Sequence, residues 1–276
     1  MRRFQITHLS RYRYDDEVEH CYNRAYLTPR ETAYQHVLSH QITGTPPLAY
    51  TSTHEDPFGN TVTYLEFPGG TQAITVRSEC LVEVCGNGGH PTPAGLSEIE
   101  RAEFTLPSPL VQLDGGIRAY AAEIFTPGRA LPDALQALLD AIDRDFHYRT
   151  GITHVNTEIK DVLDTRVGVC QDFAHLSVGI LRAAGLPARY VSGYIETSPP
   201  PGKPKLRGAD ATHAWASVYT EAGWLDFDPT NHQLVDDRYI TLAWGRDFTD
   251  VSPLRGVVFT ESETSHLSVA VDVIPA

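Results

Sequence analysis

A cysteine, a histidine and an aspartate stand in three separate neighbourhoods of this chain whose make-up suits one kind of chemistry. Cys170 lies in Gly168-Val169-Cys170-Gln171-Asp172-Phe173-Ala174-His175-Leu176, His213 in Thr212-His213-Ala214-Trp215, and Asp228 in Trp224-Leu225-Asp226-Phe227-Asp228-Pro229. A thiol nucleophile needs a base to take its proton and a third group to hold that base in one tautomer, and Cys, His and Asp supply these in turn. Cys170 falls where a loop turns into a helix. Unsatisfied N–H groups and the dipole at a helix N-terminus favour a thiolate, as does an imidazolium neighbour. Taken singly, each residue has a plainer reading: a small buried hydrophobe for Cys170, a half-exposed strand residue for His213, a turn residue before Pro229 for Asp228. Taken together they point to acyl transfer through a thioester.

The positioning elements follow from periodicity. Residues 170–184 read as an apolar helix with Phe173, Ala174, Leu176, Ile180 and Leu181 turned inward, and Gly185 and Pro187 stop it. Residues 188–195 read as a strand, and 213–219 and 224–228 as two more. A hairpin closed around Thr220-Glu221-Ala222-Gly223 pairs Tyr219 with Trp224, sets Trp215 opposite Asp228 and makes His213 the diagonal neighbour of Asp228. A tighter turn sets His213 directly opposite Asp228. Either register puts both side chains on one face, because strand side chains alternate, and a slip of one residue would separate them.

Upstream, residues 72–85 alternate with Ile74, Val76, Ser78, Cys80, Val82 and Val84 on one face and Arg77, Glu79 and Glu83 on the other, a half-buried strand. Residues 61–67 form another after the turn signal Asp56-Pro57-Phe58-Gly59-Asn60. The glycines and prolines of 86–95 read as a linker. Leu135, Leu138, Leu139, Ile142 and Phe146 form a helical stripe with Pro132 in its first turn. A shorter helix is expected over 117–125 and a last strand over 267–273.

The 276 residues, 41% hydrophobic, suffice for one large domain or two ordinary ones. A formal charge of −13 disfavours nucleic acid as a partner. No apolar run is long enough for a membrane helix and no signal peptide is read behind Arg2 and Arg3. Four cysteines do not make a disulfide scaffold, and a reducing cytoplasm is expected.

The three motifs resemble the bacterial branch of the transglutaminase-like superfamily. Thr230-Asn231 after Pro229, the stretch 245–251 and Pro253-Leu254-Arg255-Gly256 support the same branch, and 56–62 is similar to the β-rich domain fused in front of it. The resemblance implies an α+β chain: a β-rich N-terminal domain over 1–95, a helical connecting segment over 96–150, and a papain-like core over 151–276 with the cysteine on a helix and the histidine and aspartate on an antiparallel sheet. It also implies Cys170 as nucleophile, His213 as base and Asp228 as orienting acid. One departure stands out. Cross-linking transglutaminases of animals carry a tryptophan well before the cysteine that helps to stabilise the oxyanion, whereas Trp215, Trp224 and Trp244 all follow Cys170. The Cys170 N–H can supply one oxyanion donor, and Tyr148 is the only other candidate named.

His175 lies five residues after Cys170, about 140° around an ideal helix, and reads as a polar contact in the core. Gln171 and Asp172 read as cap or contact residues at the helix start. Cys80, Cys85 and His90 make at most three metal ligands, so neither a metal nor a cofactor is expected. The expected partner is a protein or peptide bearing an amide or glutamine side chain, with no nucleic acid, no membrane and an open oligomeric state. Hydrolysis leads, since water needs no site of its own; transfer to an amine comes second, and an inactive binding protein on the same fold is the contrasting class. The proline-rich stretch 197–210 between the helix and the histidine strand reads either as a lid or as a solvated connector.

Overall fold

The computed structural model describes residues 1–86, 89–90 (backbone only), 95–197 and 212–276. Five strands come first: β1 (Arg2–Ala25), β2 (Gln35–Thr45), β3 (Tyr50–Glu55), β4 (Thr61–Phe67) and β5 (Thr71–Val84). Then follow β6 (Gly89–His90), α1 (Glu98–Glu103), α2 (Gly115–Ile124), α3 (Leu131–Asp145), β7 (His147–Tyr148), α4 (Ile159–Thr165), β8 (Val167–Gly168) and α5 (Cys170–Ala183). The chain continues through β9 (Ala188–Ile195), β10 (Thr212–Thr220), β11 (Gly223–Asp228), β12 (Gln233–Leu234), β13 (Tyr239–Gly245), α6 (Phe248–Val251), β14 (Leu254–Thr260) and β15 (Ser265–Pro275). This is the α+β arrangement expected.

β1 organises the first sheet, in the order β2-β5-β1-β4-β3 with β14 and β15 also on β1. Its first half lies between β5 and β15, its second half between β4 and β14. The alternation read in 72–85 holds: Ile74, Val76, Ser78, Cys80, Val82 and Val84 are all buried, while Glu83 on the other face is tucked under Arg3. The ladders draw the domain boundary differently from the sequence. β14 and β15 fall in the stretch 151–276 assigned to the core, yet they complete the N-terminal sheet. β6 lies within the expected linker 86–95 but pairs with β11 in the second sheet; residues 87–88 and 91–94 of that linker lie outside the described residues.

The second sheet runs β12-β11-β10-β9-β13, all antiparallel. α5 crosses one face, where Leu176, Ile180 and Leu181 meet Tyr190, Ala214, Ala216 and Phe227. α3 joins this core through Leu135, Leu138, Leu139 and Ile142, all buried as the stripe required. Each such side chain contributes about 1.5–3 kcal/mol of transfer free energy. α4 was not foreseen; it packs Ile159 and Val162 into the same cluster.

The two sheets share a core, since Tyr194, Ile240 and Leu242 of the second cluster with Phe4, Ile6 and Val82 of the first. β13 is an edge strand, and an open edge invites foreign pairing. Here two buried amides cover it. Gln35 accepts from the Thr241 N–H and donates to its carbonyl, both at 2.8 Å. Asn60 does the same for Trp244, at 3.0 and 2.8 Å.

Candidate active site

Cys170 is the first residue of α5. Its N-cap, Val169, is extended and has no side-chain acceptor, so the third residue of the helix does the capping. Asp172 Oδ2 accepts the Val169 N–H at 2.8 Å and the Thr153 hydroxyl at 2.7 Å. Burial raises the Asp172 carboxyl above its ordinary value, and these two donors oppose the shift. Gly168 allows the approach, because a Cβ there would stand 2.8 Å from that of Asp172. The incoming segment is fixed by the parallel pair β7–β8, with the His147 N–H on the Arg166 carbonyl at 2.8 Å and the Arg149 N–H on that of Gly168 at 2.9 Å. The helical ladder opens with the Phe173 N–H on the Val169 carbonyl, so the Cys170 N–H precedes the ladder, among the first-turn donors that have no partner within the helix. Cys170 itself is half-buried, while 172–182 is buried throughout.

His213 enters from the start of β10, packed against Trp215 and Tyr239. Opposite it on β9 is Gly193, where a Cβ would run into the Ile240 carbonyl oxygen and the Trp215 ring. The β10–β11 hairpin adopts the first of the two registers considered, with Tyr219 opposite Trp224 and Ala216 opposite Phe227. Asp228 is therefore diagonal to His213. Its Oδ2 accepts from His213 Nε2 at 2.6 Å, Asn231 Nδ2 at 2.6 Å and the Tyr239 hydroxyl at 2.8 Å. Its Oδ1 accepts the N–H groups of Thr230 and Asn231. Nδ1 is the ring nitrogen left for the Cys170 side chain, to which His213 also hydrogen-bonds.

The electrostatics follow from these contacts. Burial alone would push the His213 imidazole down, but its bonds to Asp228 and Cys170 and their charges carry it from 6.5 up to about 10. Burial would push Asp228 up, and the bonds and charge of its partners hold it below its ordinary value instead. The site thus presents a fully buried carboxylate, a charged imidazole at neutral pH and a sulfur at a helix N-terminus.

Cys170, His213 and Asp228 are thus brought together as the spacing required. Tyr239 and Asn231 complete the carboxylate's shell. Asn231 lay in the quoted motif without a role; Tyr239 lies on β13, a strand with no reading from sequence. Tyr148 is largely exposed, with one side of its ring against Phe173; partial desolvation there, followed by the charges of Cys170 and Asp172, raises its phenol. His175 is buried: Nε2 accepts the Phe248 N–H at 3.0 Å, while Nδ1 has no hydrogen-bond partner among the described residues. Burial lowers it to about 4, so it stays neutral. Gln171 donates to the Val155 carbonyl. Cys80 lies in the sandwich core, its thiol pushed up to about 12 by burial; the His90 side chain lies outside the described residues. Of the stretch 197–210, only Thr197 lies within them.

With this geometry in hand, the chain belongs to the transglutaminase-like superfamily. Residues 118–229 match that superfamily, and residues 4–83 match the bacterial transglutaminase-like N-terminal region. An uncharacterized protein of Mycobacterium tuberculosis (strain H37Rv) is 44% identical over 99% of this chain and 93% of its own length. A protein-glutamine gamma-glutamyltransferase of Pseudomonas aeruginosa is 41% identical over 134 residues, 46% of this chain and 20% of that protein. The crystal structure of a candidate cysteine protease from Cytophaga hutchinsonii has the same fold, with a TM-score of 0.76, 23% identity, and coverage of 99% of this chain and 93% of that one.

Proposed function

We propose that the protein is a cysteine-dependent acyl-transfer enzyme acting on amide bonds of peptides or proteins, with Cys170, His213 and Asp228 as its catalytic set. The observation that carries this is the position of His213, bonded on one side to Asp228 and on the other to Cys170 at the start of α5. The sulfur attacks the carboxamide carbon and a C–S bond forms. The oxygen takes the negative charge, facing the Cys170 N–H. His213, already carrying the proton, gives it to the amide nitrogen; the C–N bond breaks and ammonia or an amine leaves. Water then attacks the thioester, His213 takes its proton, and the C–S bond breaks to restore the thiol pair. The free thiol this needs fits a reducing compartment, and all four cysteines are unpaired.

Transfer to an amine in place of water is the second reading, favoured by the name of the Pseudomonas aeruginosa relative. The two separate by product. Glutamine peptides incubated with and without a fluorescent primary amine should release ammonia in both cases, with no label entering the peptide if water is the acceptor. Label in the peptide assigns transfer. Neither product, with Cys170 no more reactive to alkylation than an ordinary thiol, would leave the inactive binding protein.

A further inference from the structure

A groove of about 590 Å³ runs between the first sheet and the start of α5. On the α5 side its lining includes Gln171 and Thr212, so the groove comes within one residue along the chain of Cys170 and of His213. The facing wall comes from the other domain: Tyr12 of β1 with Leu267 and Val269 of β15. Phe248 and Leu254 add apolar surface at its base. Leu267 and Val269 are 49% and 47% exposed, two positions apart on β15, and give the groove a contiguous apolar wall. The chain as a whole is acidic, at −13, yet among the described residues no carboxylate lines the groove. Among those residues the charged side chain in the lining is Arg255, and the histidine, His8, is buried and spent on Tyr194 and Ser10. Burial holds His8 near 4, so it adds no charge at neutral pH.

We infer that this groove is the substrate's side-chain subsite, and that the N-terminal domain, completed by β15, supplies the wall that selects an apolar residue flanking the reacting amide. The inference rests on the acyl-transfer reading. With Tyr12, Phe248, Leu254, Leu267 and Val269 in the lining and no carboxylate among the described residues there, the groove suits an apolar side chain better than a cationic one, and about 590 Å³ is room enough for it. His175 contributes from beneath: by accepting the Phe248 N–H it fixes the turn of α6 that carries Phe248 and Thr249 into the groove.

The test uses three blocked peptides, Gly-Gln-Gly, Leu-Gln-Gly and Gly-Gln-Leu. The wild-type chain should turn over one leucine peptide roughly tenfold to a hundredfold faster, in kcat/KM, than Gly-Gln-Gly. L267D and V269D change exposed positions, where the fold should tolerate them, and should bring the ratio of kcat/KM on the preferred leucine peptide to that on Gly-Gln-Gly close to one. An unchanged preference in both variants, or none in the wild type, overturns the inference. Binding is read separately on C170A by titrating the methyl resonances of leucine and valine. The preferred peptide should move Leu267, Val269 and Leu254, and Gly-Gln-Gly should not. If that pattern appears in a protein whose wild type turns nothing over, the acyl-transfer reading fails and the subsite stands. If no methyl in the groove responds to any peptide, the subsite fails whatever the activity.

Discussion

Replacing Asp228 by asparagine tests the reasoning about the site most directly. The carboxylate receives five donors, three on Oδ2 and two on Oδ1. An asparagine offers one acceptor oxygen and one donor group, so it must turn its NH2 either toward Thr230 and Asn231 or toward His213, Asn231 and Tyr239. Kept in the orientation that saves the two backbone contacts, it donates to Nε2. That places the imidazole proton on Nδ1, facing the sulfur, and removes the charge that holds His213 near 10. We expect a loss of roughly 10²–10⁴-fold in kcat, equivalent to about 3–5 kcal/mol of transition-state stabilisation. Ammonia release from a glutamine peptide reads the rate, and proton–carbon NMR of the His213 ring reads its titration, which should fall from near 10 toward 6.5. Stability should respond with a definite sign. A histidine raised to about 10 contributes stability that is complete below 6.5 and lost as pH climbs through 10. Asp228, held low, contributes above 3.8 and loses its share as pH falls further. The difference in Tm between wild type and D228N should therefore be widest between 3.8 and 6.5. A near-wild-type rate with an unmoved His213 titration would refute the assignment and leave Asp228 a turn residue.

C170A should abolish both hydrolysis and transfer with little change in Tm, since the side chain is half-buried; surviving activity on a true substrate would show another nucleophile. Y239F removes one donor to Asp228 in a buried site and should cost about 1 kcal/mol in unfolding free energy with a several-fold loss of rate, checked by denaturant titration and steady-state kinetics. R182M should be far worse. The buried guanidinium serves the carbonyls of Phe104, Leu106, Ala188 and Arg246 and the Ser108 hydroxyl, and stranding those acceptors should destabilise by about 3 kcal/mol or more; an unchanged urea midpoint would show that water replaces it.

What was legible in the sequence is what local pattern encodes. The α5 helix reads from Cys170 because the run after it carries an inward apolar face of Phe173, Ala174, Leu176, Ile180 and Leu181 and is stopped by Gly185 and Pro187, all visible in the residues. The sequence left two registers open for the β10–β11 hairpin, but strand alternation put His213 and Asp228 on one face in either, and the structure takes the first. β13 was not legible, because Tyr239-Ile240-Thr241-Leu242-Ala243-Trp244 is buried on both faces and shows little alternation, and with it went Tyr239. The first sheet was seen only in part. β1 mixes arginines and tyrosines across its length, and its partners β14 and β15 lie at the far end of the chain, beyond the reach of any local signal. The groove shares that origin, since its two walls meet only in three dimensions.

The pairing of β1 with β15 bears on how the chain reaches this structure. Phe4 to Arg13 bond to residues 73–82 of β5 on one side, and Phe4 to Tyr14 on the other to residues 265–275, which leave the ribosome long after β5. Until then that flank of β1 is an open edge, the kind that pairs with other chains. The second sheet and α5 are made from nearer neighbours and can form first. Contacts of such long range close slowly, so the fraction of chain lost to aggregation during synthesis should depend on the C-terminal strand arriving. A chain stalled before 265 would hold an assembled catalytic set on a domain still missing one wall of its groove.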